Sequence, residues 1–127
     1  YKPLDEGDRS SLIVKNFKKM LEKHYRDLAA GEVQHQYKAK KYAQKLNIHP
    51  SYLSAVIKSK TGKPVSQWIT EKTLNQAKAL LTHSNASVKE VGYQLGFSEL
   101  AHFSNFFKKN TGVTPTDFKS GISNLLK

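Results

Sequence analysis

The sequence predicts an all-α chain: two short helix-turn-helix units joined by one long helix. Three observations carry this. Apolar residues recur at helical spacing through most of the 127 residues. No run of alternating β-branched residues reads as a strand. One stretch is also built twice, since SAVIKSKTG at 54–62 returns as SNFFKKNTG at 104–112, with Ser, Lys, Thr and Gly in the same places and Ile57 matched by Phe107.

Taken in order, residues 1–9 (YKPLDEGDR) are polar, hold a Pro and a Gly, and read as a linker. Ser10 or Ser11 is placed to cap a helix from Ser11 to Tyr25 that ends near Gly31, with Ile13, Phe17, Met20, Leu21 and Tyr25 on one face. A second helical pattern starts at Tyr37; Ala39, Tyr42, Ala43 and Leu46 share a face, and Asn47 tolerates the left-handed turn that stops it. Pro50 suits the first position of the next helix, which turns Leu53, Val56 and Ile57 inward and ends at Gly62.

The long helix covers 65–83, roughly 28 Å at about 1.5 Å per residue. It carries two apolar patches, Val65, Trp68 and Ile69, then Leu74, Ala77, Leu80 and Leu81, as expected if it serves two small cores. Ser87-x-x-Glu90 is a capping box for a short helix with Val88, Val91 and Leu95, stopped by Gly96. Ser98 is placed to cap the next helix, which turns Phe103, Phe106 and Phe107 inward and ends at Gly112; Thr114-Pro115 opens a last helix with Phe118.

The echo extends beyond nine residues. Leu46-Asn47-Ile48 aligns with Leu95-Gly96-Phe97 at an offset of 49, and Leu53–Gly62 with Phe103–Gly112 at an offset of 50, so the second copy holds one extra residue between turn and helix. The first unit covers about 39–62 and the second about 87–112. In such a unit the second helix enters the DNA major groove and its outward N-terminal residues meet base edges. The first copy offers Ser51, Tyr52, Ser54 and Ala55 there, the second Leu100, Ala101, His102 and Asn105. Ser and Asn donate and accept, Asn suits adenine, and Ala or Leu can touch a thymine methyl. Lys58, Lys60, Lys108 and Lys109 lie farther along, where phosphates are in reach.

Charge agrees with a polyanionic partner. Lys and Arg number 21 against 10 Asp and Glu, a formal charge of +11, and Asp5, Glu6 and Asp8 take three of the acids into the first ten residues. The competing reading is a basic helical module that binds polyanions generically or an acidic protein partner. Without cysteine there are no disulfides, thiolate metal sites or cysteine nucleophiles. No apolar run approaches the ~18 residues of a membrane span. Catalytic signatures are missing: TGKPVS at 61–66 fails as a phosphate loop, because Pro64 stands where Ser or Thr is required. The five histidines lack the spacing of a metal site, so neither enzyme activity nor a cofactor is expected.

The segment GYQLGFSELAHFSNFFKKNTGVTPTDFK at 92–119 resembles the second helix-turn-helix signature of the AraC/XylS family of bacterial transcription regulators. HPSYLSAVIKSKTGKPVSQWI resembles that family's first unit, and ALLTHSNASVKEV the entry to its second, so the likeness covers about 35–120. The resemblance implies two homeodomain-like three-helix units, whose reading helices enter successive major grooves roughly 10 bp apart. It implies sequence-specific binding of double-stranded DNA, transcription regulation in the bacterial cytoplasm at the nucleoid, and RNA polymerase as a partner of the full-length protein. The contact positions it carries over are Ser51, Tyr52, Ser54 and Ala55, then Leu100, Ala101, His102, Ser104 and Asn105. Many members place Arg where this chain has Ala55 and Asn105, and its two arginines, Arg9 and Arg26, lie outside the likeness. Bidentate guanine reading is then unavailable to both units, and an AT-leaning site is expected. Because the chain opens on Tyr1, it reads as a monomeric fragment; residues 1–31 lead from a sensing or dimerising region upstream.

Overall fold

A computed structural model describes the backbone of residues 6–125 and the side chains of 7–121. Within that range seven helices follow one another: α1 (Glu6–Ala29), α2 (Ala39–Lys45), α3 (Pro50–Thr61), α4 (Val65–His83), α5 (Val88–Gln94), α6 (Leu100–Thr111) and α7 (Pro115–Leu125). They group into two compact units. The first takes α1 up to His24 and the chain from Tyr37 to Glu71; the second takes Tyr25–Gln36 and the described residues from Lys72 onward. Two helices are therefore shared, and α4 changes unit between its two apolar patches, as their spacing foretold.

In the first unit, Ile13, Phe17 and Leu21 of α1 are buried with Tyr42 and Ala43, with Leu53, Val56 and Ile57, and with Val65. Phe17 presents an edge to Tyr42 at 5.4 Å and to Trp68 at 6.5 Å. In the second unit, Leu28, Ala77, Leu81, Val91 and Leu95 are buried together with Phe103 and Phe107, both of these fully. Phe103 meets Phe97 at 5.3 Å, and Phe107 meets Phe118 at 5.5 Å. Phe106, expected inward, is only half-buried. Burial pushes the Tyr25 phenol above its ordinary pKa, against the opposing pull of its hydrogen bond with Thr73 at 2.5 Å.

The duplication holds at the level of single hydrogen bonds. Both short helices end in a Schellman turn. Ile48 N–H donates to the Ala43 carbonyl (3.1 Å) and Asn47 N–H to Gln44; Phe97 N–H donates to Gly92 (2.9 Å) and Gly96 N–H to Tyr93. The left-handed position falls on Asn47 (φ 57°) in one copy and Gly96 (φ 90°) in the other. The second copy requires glycine for a further reason: a Cβ on Gly96 would stand 3.0 Å from the backbone nitrogen of Gln36, whose Nε2 donates to the Leu95 carbonyl at 2.6 Å.

The repeated threonine closes each recognition helix. Thr61 Oγ1 donates to the Ile57 carbonyl (2.7 Å) and accepts from Lys63 N–H (3.2 Å) and Trp68 Nε1–H (3.0 Å). Thr111 Oγ1 donates to Phe107 (2.8 Å) and accepts from Val113 N–H (3.3 Å).

Three expectations are corrected. Neither Ser10 nor Ser11 caps the first helix, which runs from Glu6 to Ala29 with Ser10 buried inside it. Residues 6–9 of the expected linker are thus helical, and the rest of that linker lies outside the described residues. Ser98 does not cap α6 either; it is the extra residue of the second copy, and the cap position is Glu99, the counterpart of His49, without a side-chain cap bond.

Candidate nucleic-acid interface

Each recognition helix is oriented by its buried stripe. Leu53, Val56 and Ile57 pin α3, and Phe103 and Phe107 pin α6. The opposite faces are left to solvent. On α3, Ser51, Ser54, Ala55, Lys58 and Lys60 are exposed and Tyr52 is half-buried. On α6, Leu100, Ala101, His102, Asn105, Lys108 and Lys109 are exposed and Ser104 is half-buried. Each helix therefore carries small side chains along its first two turns and lysines in its last turn, and α6 adds the Asn105 amide in its second turn.

Local contacts modify that picture. The start of α3 is fixed by Pro50 and by His49, whose Nδ1 accepts from Ser51 N–H at 3.1 Å. Lys58 Nζ donates to the Gly62 carbonyl at 3.1 Å, so this cation also satisfies its own helix end. At the start of α6, Glu99 Oε2 lies 3.7 Å from His102 Nε2, with both side chains about two-thirds exposed. A carboxylate thus stands beside the expected base-facing set; it can accept from a cytosine amino group and it opposes phosphate.

The preceding helices differ between copies. The N-terminus of α5 is closed by a full capping box, with Ser87 N–H donating to Glu90 Oε1 (2.9 Å) and Glu90 N–H to Ser87 Oγ (3.1 Å). The Ser87 amide, then its hydroxyl, hold the Glu90 carboxyl below the usual carboxylate range. The N-terminus of α2 has no side-chain cap and stands among lysines. Lys41 and Lys45 lie 5.9 and 5.5 Å from the ring centre of Tyr37, which stacks on His24 at 3.7 Å.

The expected contact set contains none of Lys38, Lys40, Lys41, Lys45 and Glu99. The run KAKK at 38–41 was the available signal for the lysines. Glu99 gave none, because its cap position depends on the inserted residue. Among the described residues no group of acids and histidines could hold a metal ion, and no helix is long and apolar enough to cross a membrane.

A helical chain in which one helix-turn-helix occurs twice, each with an exposed recognition face, defines a tandem helix-turn-helix module. Residues 42–121 match the family model described as a helix-turn-helix domain. The chain belongs to this AraC/XylS-type helix-turn-helix family. It is 35% identical over 79 residues to the arabinose operon regulatory protein of Salmonella typhimurium, covering 62% of this chain and 28% of that protein. It is 34% identical over 83 residues to the uncharacterised HTH-type transcriptional regulator YobQ of Bacillus subtilis, covering 65% and 34%. Among solved structures, the C-terminal domain of AraT, a response regulator from Geobacillus stearothermophilus, superposes with a TM-score of 0.75 at 27% identity, covering 86% of this chain and 84% of that one. The chain spans about a third or less of the length of these two curated relatives.

Proposed function

We propose that this chain binds double-stranded DNA sequence-specifically and serves transcription regulation, not catalysis. The observation that carries the reading is the duplicated unit: two recognition helices are each pinned by a buried stripe and each expose small and cationic side chains on the opposite face, joined on α6 by the Asn105 amide. Family membership and relatives that are transcriptional regulators support it. In this reading residues 35–120 form the DNA-binding domain and the two helices enter successive major grooves. Ser51, Tyr52, Ser54, Ala55, Leu100, Ala101, His102, Ser104 and Asn105 face bases, and Lys58, Lys60, Lys108 and Lys109 face phosphates. The longer regulator works in the cytoplasm with RNA polymerase as its partner, and residues 1–31 join this domain to a sensing or dimerising region. The absence of Arg from both faces favours AT-leaning sites.

A mobility-shift titration at two salt concentrations tests this, comparing a duplex recovered by binding-site selection with a scrambled one. A specific surplus of about 10³-fold or more is expected. Affinity that falls with salt equally for every sequence refutes specific reading and supports a generic polyanion binder. Recovery of GC-rich sites refutes the base preference.

A further inference from the structure

The two units share a fold but not a charge. Between residues 37 and 62 stand Lys38, Lys40, Lys41, Lys45, Lys58 and Lys60 with no acid among them, a formal charge of +6. Between 87 and 112, Lys89, Lys108 and Lys109 are set against Glu90 and Glu99, a charge of +1. All eleven side chains are exposed. Where the acids stand widens the difference. The first unit has no carboxylate anywhere between residues 37 and 62 to oppose a phosphate. The second closes α5 with the Glu90 carboxylate and places Glu99 at the mouth of its recognition helix. Lys63, the next cation of the first unit, is already paired with Glu71 at 2.6 Å and lies outside the count.

Non-specific attachment to DNA is almost entirely counterion release by cations that meet phosphates. A +6 surface and a +1 surface of the same shape therefore do not share it equally. We infer that on non-cognate DNA the chain is held by its first helix-turn-helix, and that the second engages only where matching bases add contacts that charge alone does not supply. This rests on the DNA-binding reading above. It gives the module an ordered mode of action: the first unit holds the chain on any duplex, and the second commits it to a site.

The test uses the whole chain and two triple variants that remove equal charge, K38Q/K40Q/K60Q and K89Q/K108Q/K109Q. The slope of log affinity against log salt is measured on a random 30-bp duplex and on a selected one, and circular dichroism verifies folding. On the random duplex the first triple should flatten the slope by roughly 2 to 3, near 0.9 per phosphate, and the second should leave it almost unchanged. On the selected duplex both triples should flatten it. Equal flattening by both on random DNA overturns the inference. That failure is distinct from failure of the DNA-reading function, in which the selected duplex shows no surplus over the random one for the parent chain.

Discussion

Gly92 offers the sharpest check on the packing of the second unit. A Cβ built there falls 3.0 Å from Phe103 Cδ2 and 3.2 Å from its Cβ and Cγ. Carbon–carbon contacts are most favourable at about 3.5–4.0 Å, so two or three atoms must each yield by several tenths of an ångström. Rotating the ring does not relieve this, because Phe103 Cβ is one of the clashing atoms and moves only with the backbone of α6. The ring is also fully buried, held by Phe97 at 5.3 Å and Phe107 at 6.1 Å. Helices α5 and α6 must therefore separate. Overpacking of this kind costs about 1–3 kcal/mol. Alanine's better helix propensity returns about 0.5–1 kcal/mol. Gly92→Ala should thus destabilise by about 1–2 kcal/mol, a fall in Tm of about 3–8 °C for a chain of this size. Gly121→Ala is the control: that position is exposed, lies in α7 and has nothing within 4 Å of an added methyl, so its melting temperature should hold or rise slightly. Urea and thermal unfolding followed by circular dichroism measure both. A Gly92→Ala chain that melts at or above the parent refutes the argument that Phe103 has nowhere to go.

Four further outcomes are expected. Asn105→Ala should cost about 1–3 kcal/mol on a selected duplex and relax one base position, and an unchanged site preference removes Asn105 from the reading set. Lys108→Ala should weaken all sequences that engage α6 similarly and flatten the salt slope on the selected duplex by roughly one phosphate's worth. Phe17→Ala, at a fully buried ring between Tyr42 and Trp68, should cost about 3–5 kcal/mol in chemical unfolding, whereas a helix standing apart from the first unit would show almost no loss. Ser87→Ala should cost about 1 kcal/mol by opening the capping box. It should also change the acid limb: because the Glu90 carboxyl is depressed in the folded chain, its stabilisation is present above the unfolded carboxylate pKa and is lost as pH falls through the folded one. The variant keeps the backbone N–H that contributes most to this depression and loses only the hydroxyl's part, so unfolding curves from pH 6 to 3 should be slightly less steep in pH, and a steeper dependence would refute the coupling.

The all-helical class, the two-unit plan and the helix stops were legible in the residues themselves. They depend on local chemistry: Pro50 at a helix start, Asn47 and Gly96 at left-handed turns, Ser87 with Glu90 at a cap, and an apolar stripe every three or four residues. Such signals act over a turn or two and do not need the rest of the chain. The repeat added a long-range inference, that α4 serves two cores, because the same local pattern had to be satisfied twice.

Tertiary structure decided what depends on neighbours distant in sequence. Ser98 is the better cap by residue type, yet the helix starts one residue later with Glu99 at the cap position, which sets a carboxylate beside His102. Gly92 reads as an ordinary weak point in a helix until Phe103 is seen against it. Gly96 reads as a helix stop, yet a Cβ there would also crowd the backbone nitrogen of Gln36 at 3.0 Å. Most of all, α1 looked like a connector. Its polar start resembles a linker, and only the burial of Phe17, Leu21, Tyr25 and Leu28 shows that its apolar face completes cores whose other walls lie far along the chain. Periodicity states that a helix has a side to bury; it does not state against what.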